Sequence, residues 1–320
     1  MAHNLYYVKL YSADILPITL VSALVQLAGS GDLPSRPTVP YVLKTTVRSL
    51  LRTLTRIPLR GRHRLADQVG LWAASDTTEV IRINGVRIEL DHRVRQHRMM
   101  YYGLYEENIF NFLRRYLKPG MVVFDPGANM GYFAAQCIGL VGAEGIVHSF
   151  EPSRTANAQM RRMNDLRGFA TWKLWDLALT DHTGEHTFYD TPRVMLRGFA
   201  CLEGTYDPTD KIPYPVQVTT LDAFCAEQDI ERIDFLKLDI EGSELPALKG
   251  AERLLQEGRI GCVMVETTLV ERTRDLTQQI DDLMRNAGFS SFHASRDGRT
   301  RPVVVMTHST FREDVLWLKR

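Results

Sequence analysis

Apolar residues recur at helical spacing at Leu43, Val47, Leu50, Leu51, Leu54 and Ile57, which predicts an amphipathic helix opened by Pro40 and closed by Pro58. Residues 31–40 form a linker by composition. Before it, Ile15–Ala28 is a single apolar run with Pro17 inside it. It falls short of the roughly 18–20 residues a bilayer requires. Asp14 precedes it directly, and Lys9 is the one basic residue nearby, which argues against a secretory signal and for a short buried helix. Next, Glu79–Asp91 alternates apolar and polar positions around Asn84-Gly85 and predicts a hairpin. Glu106–Leu117 is helical and stops at Pro119-Gly120.

From Met121 the period changes. Short apolar strands are expected at Met121–Phe124, Gly145–Phe150, Trp172–Leu179, Asp234–Asp239 and Gly261–Glu266. Helices are expected over Gly131–Leu140, Asn157–Asp165, Glu244–Leu255 and Asp275–Ala287. Alternating strands and helices mean an α/β fold with a parallel sheet. Ser290–His293, Val303–Met306 and Asp314–Leu318 lack helices between them, so an antiparallel edge is expected. The pattern divides the chain into a helical N-terminal extension, residues 1–78, and an α/β domain, residues 79–320.

Composition changes the picture in two places. Hydrophobic residues at 44% and charged residues at 24% are ordinary for a globular chain and exclude a disordered or fibrous one. The net charge of +1 hides an asymmetry: residues 1–115 carry 16 Lys/Arg against 9 Asp/Glu, or +7, so the remainder carries 1 − 7 = −6. Arg48, Arg52, Arg56 and Arg60 put a basic stripe on the first helix. Residues 40–64 could therefore meet an anionic membrane or a partner, although the plainer reading docks the helix with its arginines in water. Cys137, Cys201, Cys225 and Cys262 form no C-x-x-C pair, which points to a reducing compartment and a cytoplasmic protein.

Three motifs carry candidate chemistry. In the first, Asp125 ends a strand and Gly127-Ala128-Asn129-Met130-Gly131 opens a helix. Glycines let a ligand approach backbone, and the helix start offers free N–H groups to a carboxylate or phosphate. The spacing G-x-x-x-G differs from the dinucleotide fingerprint, and an acid at the strand tip suits an α-amino group better than a pyrophosphate. S-adenosylmethionine has an ammonium, a carboxylate and a sulfonium. A tight structural turn would look the same.

The second motif is Glu151, at the end of the next strand, where an acid can chelate ribose hydroxyls. Asp176, after the third strand, could accept from an adenine amino group; Asn157 and Asn164 read as surface residues. The third motif is Asp234-Phe-Leu-Lys237-Leu-Asp239-Ile-Glu241-Gly242-Ser-Glu244, with Glu266 closing the fifth strand in the same layer. Asp239, Glu241 and Glu266 can deprotonate an acceptor, hold its hydroxyls or bind a hard cation such as Mg²⁺. No metal site is expected among them. The competing reading is an ion-pair network around Lys237 with a helix cap from Glu241 or Ser243.

Together these residues resemble a family. Asp125-x-Gly-Ala-Asn-x-Gly131, Phe150-Glu-Pro152, Ala178-Leu-Thr-Asp-x-x-Gly184, Thr220-Leu-Asp222 and Lys237-x-Asp-x-Glu-Gly-x-Glu244, followed by Leu248-Lys-Gly-Ala251, look like the FkbM family of S-adenosylmethionine-dependent methyltransferases. The likeness runs from about Tyr105 to about Phe289. It implies a Rossmann-like class I methyltransferase sheet of seven mostly parallel strands with an antiparallel edge. It also implies O-methylation of a hydroxyl on a sugar, polyketide or similar small molecule. By position, Asp125, Gly127, Ala128, Asn129, Gly131, Glu151, Asp176 and Ala178 would bind S-adenosyl-L-methionine. Asp239 and Glu241 would be the candidate bases, with Lys237 and Glu266 beside them. Pro126 departs from the family's small aliphatic residue and removes one N–H from the loop.

Further expectations complete the reading. His148 is a core histidine, and His293 and His308 are remote alternatives as bases. Asp190–Pro215, with Arg193, Arg197, Gly198, Phe199, Tyr206 and Tyr214, is a long irregular segment suited to binding an acceptor. Tyr101, Tyr102, Tyr105 and Glu106 could wall the same cleft. The alternative function is a scaffold module that binds an adenosine ligand without turnover and docks through its basic helix. Nicotinamide chemistry is disfavoured by the glycine spacing, and a nucleic-acid substrate by the acidity of the sheet half. The acceptor and the oligomeric state are not legible.

Overall fold

A computed structural model describes residues 41–58, 60–74, 78–165, 168–190, 201–202, 212–269, 274–303 and 311–319. The run Ile15–Ala28, the linker 31–40, residues 304–306 of the expected strand Val303–Met306, His308, and Arg193, Arg197, Gly198, Phe199 and Tyr206 lie outside the described residues. The chain forms two compact units, one of Met1–Ile81 and Glu89–Glu107, the other of Arg82–Ile88 and Asn108–Arg320.

The first unit contains α1 (Tyr41–Leu54), α2 (Arg62–Trp72) and α3 (Arg95–Tyr101). The chain leaves the first helix at Leu54, a turn before Pro58. Arg48 is buried rather than in water: its guanidinium donates to the Ala73 carbonyl at 3.0 Å and lies 3.6 Å from Glu79. Arg62 donates to the Thr55 carbonyl and pairs with Glu107, and Arg98 pairs with Asp67 at 2.6 Å. Buried arginines cost stability unless so partnered. The second helix, α2, escapes the sequence pattern because its buried Leu65, Ala66, Val69 and Gly70 make a narrow stripe among Arg62, His63, Arg64 and Asp67. Tyr101 and Tyr102 pack edge-to-face in this unit and are buried, so they are core residues here.

Strands β1 (Glu79–Ile83) and β2 (Val86–Leu90) form the expected hairpin. Asn84 and Gly85 have φ of 47° and 86°, the mirror-image turn that matches strand twist. The Asn84 amide donates to the Ala135 carbonyl at 2.8 Å.

From Asn108 the second unit contains α4 (Glu107–Tyr116), whose Ile109, Phe110, Phe112 and Leu113 are buried. Glu107 in its first turn and Arg114 and Arg115 in its last oppose the helix dipole. The main sheet uses β3 (Val122–Pro126), β4 (Ile146–Phe150), β5 (Trp172–Trp175), β10 (Ile233–Leu238), β11 (Ile260–Leu269), β12 (Phe289–Ala294), β13 (Thr300–Pro302) and β14 (Phe311–Lys319). Its order is β13-β12-β14-β11-β10-β3-β4-β5. The strands β5, β4, β3, β10 and β11 run parallel, and β14, β12 and β13 add an antiparallel edge. This is the expected parallel sheet with an antiparallel edge, of eight strands where the family likeness implied seven, and β13 ends at Pro302, just before the strand expected over Val303–Met306. Phe124, Phe150, Phe235, Trp172 and Trp317 are fully buried around it.

Chain order steps outward from β3 through β4 to β5, then returns to the other side of β3 at β10. That reversal is the switch point where open α/β sheets bind ligands, beyond the carboxyl ends of the strands. Helices α5 (Tyr132–Val141) and α6 (Arg154–Met163) follow β3 and β4.

Two sequence expectations change. The third strand does not run to Leu179: it stops at Trp175, and β6 (Ala178–Leu179) joins a separate four-stranded sheet of order β6-β9-β7-β8. That sheet uses β7 (Gly184–Asp190), β8 (Cys201–Leu202) and β9 (Ile212–Thr219), so both ends of the segment 190–215 are ordered strands. The helix expected over Glu244–Leu255 is broken into α8 (Glu244–Lys249) and α9 (Glu252–Gln256), after α7 (Leu221–Glu227). The break is at Gly250, where a Cβ would overlap the Thr180 carbonyl. Helix α10 (Arg274–Asn286) precedes β12. No helix among the described residues is long and apolar enough to cross a membrane. Cys137, Cys225 and Cys262 are free and buried.

Candidate functional site

The loops after β3 and β10 meet at the switch point. Gly127 has φ +73°, and a Cβ on it would overlap the Asp239 carbonyl oxygen. Its own N–H donates to the Phe150 carbonyl at 2.9 Å. Asn129 follows with φ +50°, and Gly131 with φ +80° against Trp172 and Met160. Three left-handed positions in five residues turn the chain sharply into α5, whose first N–H groups have no partner within the helix.

Two buried carboxylates lie beside that loop, and one of them bonds it. Asp125, fully buried on β3, accepts from Ser149 Oγ at 3.4 Å, and Ser149 in turn accepts from Trp172 Nε1 at 3.0 Å. Its Oδ1 is buried without a hydrogen-bond partner. Burial pushes the Asp125 carboxyl up to about 6, against the pull of Lys237. Glu151, just past β4 and 6% exposed, accepts from the backbone N–H of Asn129 at 2.7 Å and of Ser153 at 2.8 Å. Burial outweighs those bonds and raises it to about 7.

This shift has a sign that can be measured. A raised acid holds its proton in the folded chain at a pH where the unfolded chain has released it. Stability then falls as pH rises from about 4.5 to about 7, by about 1.4 kcal/mol per unit at most. The Glu151→Gln variant lacks that slope. Urea melts from pH 5 to pH 8 should show the wild type losing stability relative to the variant. His148 works the other way, since burial lowers it to about 4, but it does so in both proteins and cancels. As expected, His148 is a core residue, accepting from Trp175 Nε1 at 3.1 Å.

Around β10 the acids converge. One oxygen each from Asp239, Glu241 and Glu266 lies within 4.8 Å of the others, and all three residues are half-buried. Lys237, 5% exposed, donates to Asp239 Oδ2 at 3.1 Å and sits over the Phe133 ring. Glu241 has φ +51°, a conformation that costs a non-glycine residue roughly 1–2 kcal/mol and that concentrates at functional positions. Ser243 makes no side-chain cap to α8; Glu244 instead accepts from the N–H groups of Ile240 at 3.0 Å and Gly242 at 3.2 Å. Both sequence readings therefore hold in part: the ion pair exists, and the carboxylates do meet.

Other expected residues fall differently. The Asp176 side chain is 64% exposed and pairs with Arg161 at 2.7 Å. Ala178 is buried at the start of β6. Asn157 and Asn164 are not surface residues. Both are buried: Asn157 donates to the Glu151 carbonyl, and Asn164 bonds both the N–H and the carbonyl of Arg87.

Sequence reasoning missed two features. Asp314 faces Glu266 across the β11–β14 ladder, which only the strand register reveals. Buried Asp190 accepts from Ser153 Oγ at 2.8 Å and from Tyr214 OH at 2.7 Å, and Tyr214 OH accepts from Arg154 N at 2.9 Å. The second sheet is thereby fastened to the turn that carries Glu151.

Known proteins share parts of this sequence and fold. The chain is 31% identical over 163 residues to the 31-O-demethyl-FK506 methyltransferase FkbM of Streptomyces tacrolimicus, a match covering 42% of this chain and 61% of that protein. The chain thus spans about three-fifths of the length of that relative. Among solved structures, the FkbM methyltransferase of Methylobacillus flagellatus is 17% identical, with a TM-score of 0.39 over 88% of this chain and 63% of that one. A SAM-dependent O-methyltransferase of Thermotoga maritima is 13% identical, with a TM-score of 0.35 over 75% and 77% of the two chains. The sequence model of the methyltransferase FkbM domain matches residues 125–291, from the first acid of the glycine loop to the middle of β12. With more than half its length inside that match, the chain belongs to the FkbM methyltransferase family.

Proposed function

We propose that this protein transfers the methyl group of S-adenosylmethionine to a hydroxyl oxygen of a small polyhydroxylated acceptor such as a sugar or polyketide. The observation that carries the reading is the contact at the switch point, where the Gly127–Gly131 loop touches the Asp239 backbone and the three carboxylates begin. Charge and donors fit the cofactor. Glu151 spends one lone pair per oxygen on backbone N–H groups, so each oxygen keeps another for a ribose hydroxyl. Asp125 is too deep for direct contact; its unpartnered oxygen places negative charge behind the loop that would hold the cofactor's ammonium.

When bound, S-adenosylmethionine supplies a sulfonium methyl carbon whose bond to sulfur breaks as the bond to the acceptor oxygen forms. Asp239 takes the hydroxyl proton, held in position by Lys237 Nζ. Glu241 and Glu266 orient the acceptor through hydrogen bonds to its other hydroxyls. Alignment of the oxygen behind the methyl group is the main contribution, about 7–11 kcal/mol at best.

The test is calorimetric titration of S-adenosylmethionine and of NAD⁺ into the wild type and an Asp125→Ala/Glu151→Ala variant. Micromolar binding of S-adenosylmethionine that the variant loses is expected. Binding of NAD⁺ in its place would overturn the reading.

A further inference from the structure

The first helix faces the wrong way for its leucines. Leu43, Val47, Leu50 and Leu54 share one face of α1 and Ile57 lies in the turn that follows, yet α1 buries a different edge. Arg48, Leu51 and Thr55 are 4%, 1% and 1% exposed, whereas Leu43, Leu50 and Ile57 are 37%, 48% and 48% exposed. The cause is visible at Arg48. Its guanidinium is fixed to the Ala73 carbonyl and beside Glu79, so rotating α1 to bury its leucines would strand a buried charge.

The same unit holds a second exposed apolar pair, Leu71 and Trp72, at the end of α2. Lys44 and Arg48 donate to the carbonyls of Ala74 and Ala73, which brings that end of α2 beside the start of α1. That end of α2, with its exposed indole and Leu71, thus lies next to the helix that carries the exposed leucines.

Charge identifies what this face would meet. Residues 41–64 contain Lys44, Arg48, Arg52, Arg56, Arg60, Arg62 and Arg64 and no Asp or Glu. Arg48 and Arg62 are used inside the fold, while Arg56, Arg60 and Arg64 are exposed. A second copy of this helix would set cations against cations. We propose that α1 lays its leucine face on an anionic lipid surface, with Trp72 at the interface and Arg56, Arg60 and Arg64 among the headgroups. This surface is independent of methyl transfer.

The experiment is sedimentation of the full chain with phosphatidylcholine vesicles, with and without phosphatidylglycerol. Binding to the anionic vesicles alone, weakening with salt and accompanied by a blue shift of tryptophan emission, is expected. Each cation contributes about fivefold, so the Arg56→Glu/Arg60→Glu/Arg64→Glu variant should bind at least about 100-fold more weakly. Leu50→Gln should cost about 10-fold or more while leaving the melting temperature unchanged. Equal binding, or none, to both vesicle types overturns the proposal. So does a dimer in light scattering that Leu50→Gln dissociates without lipid binding, which would assign the face to a second copy. A fall in melting temperature for Leu50→Gln without lipid binding would assign it to residues 15–28 of the same chain.

Discussion

Asp239→Asn is expected to slow methyl transfer by about 10²–10⁴-fold, the usual range for loss of a general base. Affinity for S-adenosylmethionine should stay within a factor of about three, because the change removes a proton acceptor and leaves the shape of the loop. The fold tolerates it for local reasons. The asparagine oxygen can still accept from Lys237, which now sits 3.1 Å from a carboxylate oxygen. Asp125, raised partly by the charge of Asp239, is relieved of that repulsion. The measurement is S-adenosylhomocysteine release over a panel of hydroxylated sugars and macrolides, using the best acceptor found. The same assay in EDTA should run at the full rate. A rate that chelation abolishes and Mg²⁺ restores would instead give the three convergent carboxylates to a cation.

Gly127→Ala is expected to weaken S-adenosylmethionine binding by at least about 100-fold. Two costs combine there. A left-handed alanine costs roughly 1–2 kcal/mol. Its methyl group also runs into a backbone carbonyl that can move only by parting the loops after β3 and β10. The melting temperature should fall by about 4–8 °C for a penalty near 2 kcal/mol in a domain of this size. Gly288→Ala is the control. That glycine is equally left-handed at φ +84°, but a Cβ there meets nothing within 4 Å. It should lose stability and keep its affinity. If Gly127→Ala binds the cofactor like the wild type, the loop contact has no part in the site.

What the sequence disclosed was local. The Asn84-Gly85 turn, the strands β3, β4, β10 and β11 and the acids at their tips follow from residue types a few positions apart; β4 and β10 fell within a residue of their expected limits, while β3 ran two residues and β11 three residues past the expected end. What it withheld was set by distant partners. The third strand ends at Trp175 because Ala178 and Leu179 pair with Val218 and Thr219, about forty residues on. Helix α8 stops where the Thr180 carbonyl presses on Gly250. Arg48 reads as a solvated member of a basic stripe until Ala73 and Glu79 close around it. In the site, the presence of Glu151 was legible but its direction was not. Its partners are the N–H groups of Asn129 and Ser153, and no side-chain pattern marks a backbone donor.

The main sheet ends in β13 on one side and β5 on the other, with three and four residues respectively. Unpaired N–H and C=O groups on a long, flat edge invite strands from other molecules. Here β13 offers exposed Arg301 and Pro302, and β5 offers exposed Lys173. A docking strand would gain few bonds, lose one to the proline, and desolvate a cation. Both borders of the eight-stranded sheet are thus poor templates for a strand added from another molecule.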